Sequence, residues 1–124
     1  MTTGIEKDFQ AGETVCRQGD SGEYIYILKK GSLGVYKDDN LVSQYRIPGT
    51  ILGEISIILG ETRTASIKAI TPSTVSVIRI SLIDMVRNFP SFTVKILKTL
   101  AERLKDTTEE LSLSMVAHQM EDDA

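Results

Sequence analysis

The chain has 124 residues, enough for one domain and too few for two full-sized hydrophobic cores. Its net charge of −3, with a pI near 5.1, argues against nucleic acid or an anionic membrane as the main partner. Because there is one cysteine, Cys16, and one histidine, His118, an internal disulfide is impossible and a transition-metal site is not expected.

No apolar run reaches the length that spans a membrane, and the N-terminal segment MTTGIEKDFQ lacks the apolar core of a signal peptide. The sequence therefore predicts a soluble, cytoplasmic protein without membrane insertion.

Short segments rich in β-branched and aromatic residues fill the first two-thirds of the chain, separated by turn residues. Each has the length of a strand, and several alternate apolar with polar residues. A hairpin turn is predicted at Asp38-Asp39-Asn40. The pattern indicates a sandwich, barrel or jelly roll over residues 5–80. The predicted strands lie in ETVCRQ, YIYILKK, SLGVYK, LVSQYRI, TASIKAI and TVSVIRI.

The segment LGEISIILGETRTA, from Leu52 to Ala65, interrupts this pattern. Gly53 permits an unusual backbone angle or a close approach by another group. The next six residues suffice for one to two helical turns, which Gly60 would end. The unpaired amides at the start of such a turn favour an anion, and Arg63, expected on the following strand, can reach the same anion with two charge-assisted bonds.

Glu54 would repel a phosphate placed against it, but it is well suited to accept the proton of a neighbouring hydroxyl, for example on a ribose. Thr64 adds a hydroxyl, and Ser56 and Ala65 are small, as close approach of a ligand requires. The spacing suggests a ligand with a phosphate and a nearby hydroxyl. A simple ion pair between Glu54 and Arg63 is an equally good interpretation of the residues alone.

Two helices are predicted after the strands. Ser81, with Asp84 three residues later, starts a short helix over residues 81–88. Phe89-Pro90 interrupts it, and a long helix follows over residues 91–119. Spacings of three and four favour a two-chain coiled coil, hence a homodimer through residues 94–115, over packing within one chain. The seam comprises Val94, Leu97, Ala101, Leu104, Thr108, Leu111 and Met115.

GEISIILGETRTASIKA, from Gly53 to Ala69, resembles the phosphate-binding cassette of cyclic nucleotide-binding domains, and GETVCRQGDSGEYIYILKKGSLGVY, from Gly12 to Tyr36, resembles their β-roll signature. The resemblance covers almost the whole chain and implies a mainly β domain over residues 1–124, a double-stranded β-helix (jelly roll) with C-terminal helices. It implies a sensor rather than an enzyme, with a cyclic nucleotide as ligand and no other cofactor.

The resemblance also implies roles for individual residues. Arg63 would pair with the cyclic phosphate, and Glu54 would bind the ribose 2′-hydroxyl. Thr64 would hydrogen-bond the phosphate or the base, beside the small Ala65. Backbone contacts around the sugar-phosphate would come from Gly53, Ile55 and Ser56.

The long helix, in its segment AERLKDTTEELSLSM, looks like the dimer helix of the bacterial catabolite activator proteins. This likeness implies that Thr107 and Thr108 contact the adenine, one from each subunit, although a solvated helix position and a polar seam residue would also explain the pair. Thr64 occurs in domains for either purine. The threonine pair favours cyclic AMP over cyclic GMP.

The chain departs from the activator family because it stops at Ala124, without a helix-turn-helix, so no DNA contact is expected. It is interpreted as a free-standing sensor or a piece of a larger protein, with its effector or fused domain unknown. Ligand binding is expected to repack the short and long helices over the base. A β-roll partner-binding module with a vestigial or non-nucleotide pocket is the alternative.

Overall fold

The computed structural model describes residues 3–122, and it describes side chains from residue 4 to residue 108. The chain forms two compact units that divide between Asn88 and Phe89. The first unit contains eight strands and two short helices, and the second is one long helix. Each unit is considered by itself.

The eight strands form two four-stranded antiparallel sheets. One sheet has the order β1-β8-β3-β6 and the other β2-β7-β4-β5. The fold is therefore mainly β with C-terminal helices, as the sequence predicts. The strands are β1 Thr3–Phe9, β2 Thr14–Cys16, β3 Tyr24–Lys30, β4 Leu33–Lys37, β5 Asn40–Tyr45, β6 Ile51–Leu52, β7 Ser66–Ala69 and β8 Ser73–Arg79.

Side chains from both sheets share one hydrophobic cluster. Alternation along each strand places one set of residues inward, so that β3, β6 and β8 supply one side of the cluster and β2, β4 and β7 the other. Burial of these side chains stabilises the fold by about 25 cal/mol for each Å² of apolar surface removed from water. The buried members are Cys16, Tyr26, Leu28, Leu33, Leu52, Ile67, Ala69 and Val75.

The turn at Asp38-Asp39 joins β4 to β5, which confirms the predicted hairpin. Both aspartates have positive φ, 50° and 66°, and Lys37 pairs with Asn40 across the turn. Two residues with positive φ match the twist of the flanking strands, and aspartate tolerates that conformation better than most residues.

Two of the eight strands, β1 and β6, lie outside the segments that the sequence pattern predicts to be strands. Strand β1 pairs with β8 from Thr3↔Arg79 to Phe9↔Ser73, so the first sheet starts before residue 5. Strand β6 has two residues, Ile51 and Leu52, which pair with β3. A two-residue strand is too short to show any periodicity, so only its partner reveals it.

Helix α2 spans Leu82–Asn88 and begins as the sequence predicts. The Asp84 amide donates to Ser81 Oγ at 3.1 Å, which is an N-cap. Helix α3 spans Pro90–Asp122, where the sequence predicts residues 91–119. Pro90 can belong to the first turn because its missing N–H has no helical partner there to lose.

Candidate functional site

The segment after β6 forms the predicted short helix, α1, Glu54–Leu59. Gly53 precedes it with φ 88°, and Gly60 ends it with φ 67° and a backbone bond to Ser56 O, so both glycines act as predicted. At Gly53 the close approach is also real, because a Cβ added there would lie 2.6 Å from Arg63 Nη1. A side chain at position 53 would displace the guanidinium.

Arg63 does not lie on a strand, and this part of the prediction is wrong. It lies in the connection between α1 and β7, which begins at Ser66. Its main chain is tied to the β2–β3 loop, since its N–H donates to Asp20 O and its carbonyl accepts from Gly19 N, each at 2.8 Å. The backbone of Arg63 is thus held by hydrogen bonds to the β2–β3 loop and not by pairing with a neighbouring strand.

The Arg63 side chain is 4% exposed, and it donates hydrogen bonds to oxygen atoms of its own chain. Nη1 donates to Gly53 O at 2.7 Å and to Ser56 Oγ at 2.6 Å, and Nη2 donates to Tyr24 O. The Tyr26 ring lies beneath the group, with its centroid 5.2 Å from Cζ. These three hydrogen bonds go to neutral oxygen atoms, so they do not themselves compensate the positive charge of the guanidinium.

The Nε atom of Arg63 is the exception in this arrangement. It is buried, and it has no hydrogen-bond partner among the residues whose side chains the structure describes. A buried N–H without an acceptor is rare, because losing its bond to water costs about 1–3 kcal/mol. This N–H of the site therefore lacks one acceptor among the described residues.

Two titratable groups beside Arg63 remain protonated. Burial raises the pKa of the Cys16 thiol, although the Arg63 charge opposes the rise. Burial, followed by the nearby Cys16, raises the pKa of Tyr26 to about 12, again against the effect of Arg63. Neither neighbour therefore supplies a negative charge at neutral pH.

The other cassette residues of the predicted site fall into two groups. Glu54 and Ser56 are each 5% exposed, and Gly53 is half-buried. The side chains of Ile55 and Thr64 are exposed. From the sequence, Ser56 is expected to be small enough for a ligand to approach, and its hydroxyl also accepts a hydrogen bond from Arg63 Nη1. Ala65 is half-buried.

Sequence reasoning missed the part that β3 plays in this site. Tyr24 supplies a main-chain acceptor and Tyr26 an aromatic face, and both lie more than 35 residues before Arg63. The segment YIYILKK is a clear strand pattern, in which residues 24 and 26 share one face. The sequence does not reveal the register between β3 and β6, which places this face of β3 beside the cassette.

A cavity of about 740 Å³ opens within the first unit next to the cassette. Its lining includes Ser56 and Thr62, but neither Glu54 nor Arg63 lies on its wall. Ser56 therefore connects the cavity to the buried guanidinium. The remaining lining residues are Ser21, Gly22, Glu23, Ile57, Gly60, Glu61, Arg79, Ile80, Ser81 and Asp84.

Thr107 and Thr108 lie on α3 and are exposed. Each hydroxyl donates to the carbonyl four residues earlier, Thr107 to Arg103 O and Thr108 to Leu104 O, as helical threonines commonly do. Of the predicted seam, Val94, Leu97 and Leu104 are 48%, 58% and 68% exposed. Leu111 and Met115 lie outside the residues whose side chains are described.

Neither a membrane span nor a metal cluster is found in the described part of the chain. Among these residues no helix combines the length and the apolar character needed to cross a bilayer. No group of three or more His, Cys, Asp or Glu side chains is placed there to hold a metal ion.

Solved structures with the same fold include the Thermus thermophilus catabolite activator protein, with a TM-score of 0.75 at 22% identity over 89% of this chain and 54% of that one. The regulatory domain of Toxoplasma gondii PKA, solved with cAMP, has a TM-score of 0.66 at 25% identity over 80% of this chain and 39% of that one.

Among curated relatives, human cyclic nucleotide-gated channel alpha-2 is 41% identical over 70 residues, 50% of this chain and 10% of the channel. Human cGMP-dependent protein kinase 2 is 38% identical over 65 residues, 52% of this chain and 8% of the kinase. The chain thus spans about a tenth of the length of these relatives. The family model for the cyclic nucleotide-binding domain matches residues 6–86, which include all eight strands in whole or part, α1 and the buried arginine. This chain belongs to the cyclic nucleotide-binding domain family.

Proposed function

We propose that this chain is a regulatory sensor module that binds a cyclic nucleotide at Arg63 and prefers cyclic AMP. The buried, unpaired Nε of Arg63 carries the proposal. A cyclic phosphate has the acceptor oxygens and the negative charge that this N–H lacks, and a charge-assisted bond is about twice as strong as a neutral one. The three bonds to neutral oxygens hold the guanidinium ready without cancelling its charge.

Glu54 would bind the ribose hydroxyl. It is the first residue of α1, directly after the left-handed Gly53, and it is buried at 5% exposure. A buried carboxylate favours one well-placed hydroxyl donor, because each accepted bond offsets part of its lost hydration. Gly53, Ile55 and Ser56 would contribute backbone groups around the sugar-phosphate, and Thr64 would offer its exposed hydroxyl beside the small Ala65.

The preference for cyclic AMP depends on Thr107 and Thr108. Both hydroxyls now donate within the helix, and a hydroxyl that donates to a carbonyl still has lone pairs with which to accept a hydrogen bond from a purine amino group. Cyclic GMP is the alternative ligand, because one of the relatives described above is named as a cGMP-dependent kinase at 38% identity.

The long helix would make the sensor a homodimer and transmit its response. The apolar side chains of the α3 seam are exposed in its described part, and pairing two such seams would remove them from water. Ligand binding would shift the population toward a state in which α2 and α3 repack over the base, to the extent that the ligand prefers that state. The effector, or a fused domain that receives the signal, would be a further partner, and no catalytic step is proposed for this chain.

Isothermal titration tests the proposal with three proteins and two ligands. The natural chain should bind cyclic AMP more tightly than cyclic GMP, whereas Arg63→Ala should bind cyclic AMP about 100-fold more weakly, because it loses the charge-assisted bonds to phosphate. Arg46→Ala removes an exposed arginine on the same domain and is the matched control. Circular dichroism checks that each variant is folded.

Unchanged affinity in a folded Arg63→Ala variant would refute the assignment of the site. Native mass spectrometry of the freshly purified chain adds an independent result, because a bound cyclic nucleotide adds a defined mass. An added mass that matches another anion would reject the nucleotide.

A further inference from the structure

We propose that Tyr26 is a positioning residue for Arg63, whose ring face sets the direction in which Nε meets the phosphate. The inference rests on the proposed function and deepens it. Hydrogen bonds to Nη1 and Nη2 fix one end of the guanidinium, but they leave its plane free to tilt about them. An aromatic face beneath the plane restricts that tilt.

The ring and the cation lie at a distance where they attract. The Cζ atom of Arg63 is 5.2 Å from the centroid of the Tyr26 ring, inside the range of about 6 Å for a cation–π contact. Tyr26 is 6% exposed and Arg63 is 4% exposed. Because water does not screen the pair, the attraction is stronger than that of an exposed pair.

The backbone holds the ring in place from two sides. Tyr26 on β3 pairs with Leu52 on β6 and with Val77 on β8. Leu52 directly precedes Gly53, and a Cβ added at Gly53 would lie 3.2 Å from Tyr26 Cδ2 and 2.6 Å from Arg63 Nη1. Ring, glycine and guanidinium are therefore in mutual contact, so the loss of the ring opens space into which the guanidinium can turn.

The ring acts as a neutral surface. Burial raises the pKa of Tyr26 to about 12, so its hydroxyl stays protonated at neutral pH and cannot form an ion pair with the arginine. The ring attracts the cation through its face without compensating the charge that an anion needs. A carboxylate at this position would hold the arginine as firmly and weaken the binding of phosphate.

Titration of the full chain separates this role from simple core packing, which Tyr26 also provides. We expect Tyr26→Leu to bind cyclic AMP about tenfold more weakly and Tyr26→Phe, which keeps the ring, to stay within about twofold. Affinity for adenosine, which has the same base and ribose but no phosphate, should be unchanged in both variants. Tyr36→Leu is the matched control, because the Tyr36 ring lies 5.1 Å from Lys68 Nζ on the other sheet.

The Nε–H resonance of Arg63, assigned with the Arg63→Lys variant, reports positioning without any ligand. In the natural protein and in Tyr26→Phe it should be a single, slowly exchanging peak, and in Tyr26→Leu it should shift and exchange faster. If Tyr26→Leu does not fold, pentafluorophenylalanine incorporated at position 26 keeps the ring's shape, reverses its charge distribution and should reproduce the tenfold loss.

Each contrary result has a definite meaning. An unchanged Arg63 signal in Tyr26→Leu, an equal loss of affinity for cyclic AMP and adenosine, or a Phe variant as weak as the Leu variant would overturn the positioning role. If the natural protein binds no cyclic nucleotide, the proposed function fails, and the Arg63 signal in the free protein still decides the role of Tyr26.

Discussion

Arg63 and the apolar seam of α3 differ in their exposure to solvent and in their contacts. The guanidinium is 4% exposed, and its hydrogen bonds go to residues of the same compact unit. The seam residues Val94, Leu97 and Leu104 are about half exposed or more. The first region is held in one arrangement by its own chain, and such preorganisation would reduce the entropy that binding of an anion must overcome. The second is a row of apolar side chains that stay exposed in the described part of the helix.

Gly53→Ala should break the organised region most severely. The new Cβ meets Arg63 Nη1 at 2.6 Å, and φ 88° strains any side chain. We expect the free energy of unfolding to fall by about 3 kcal/mol, the sum of backbone strain and overpacking. Gly12→Ala has the same φ of 88° with nothing within 4 Å, so it should lose only about 1 kcal/mol. Urea titration measures both, and equal losses would show that the contact with Arg63 is unimportant.

Charges placed on the seam test the second region. The double variant Leu97→Glu/Leu104→Glu should raise the dimer dissociation constant about 100-fold, because two carboxylates replace apolar contacts. Lys98→Glu changes the net charge by the same −2 at another exposed position of α3, so it controls for charge alone. Sedimentation measured over a range of concentrations gives the constants. The assignment of the seam as a dimer interface would be contradicted if the Lys98→Glu control dissociates as well, or if the natural chain is monomeric at every concentration.

The raised pKa of Tyr26 predicts a pH dependence for the organised region. Between pH 10 and pH 12 the unfolded chain loses the phenolic proton while the folded chain keeps it, so the stabilisation is complete below pH 10 and is lost as pH rises toward 12. The stability of the natural chain relative to Tyr26→Phe should fall by about 2 kcal/mol over this range, as a pKa raised by about two units requires. Urea unfolding at several pH values measures the difference, with Tyr36→Phe as the control. A constant difference would contradict the shift.

The threonine pair should give the smallest effect. Replacing Thr107 and Thr108 together by valine keeps their shape and removes their hydroxyls. We expect affinity for cyclic AMP to fall about threefold, the loss of about one net hydrogen bond, with less change for cyclic GMP. Competition titration with both nucleotides measures the preference. The same loss for both ligands would remove the pair from purine selection.

Local patterns were sufficient to predict much of this fold and part of its site. Alternation located six strands, and Gly53 and Gly60 marked the limits of α1 because each needs a positive φ that glycine readily adopts. These features are encoded within a few residues of each other.

Long-range pairing determined what the sequence could not reveal. Tyr24 and Tyr26 reach Arg63 only because β3 pairs with β6, a strand of two residues that has no pattern of its own. The assignment of Arg63 to a strand failed for a similar reason, because its backbone partners, Gly19 and Asp20, lie in a distant loop. Strand register and loop contacts depend on residues that are far apart in the chain, so a short stretch of sequence cannot predict them.

The two 2.8 Å bonds that join the main chain of Arg63 to Gly19 and Asp20 give the β2–β3 loop control over the site. Lengthening or shortening this loop would move the arginine as a whole while every group that faces a ligand stays chemically the same. The placement of Arg63 in the fold therefore depends on the length of a surface turn as well as on the residues next to it in the chain.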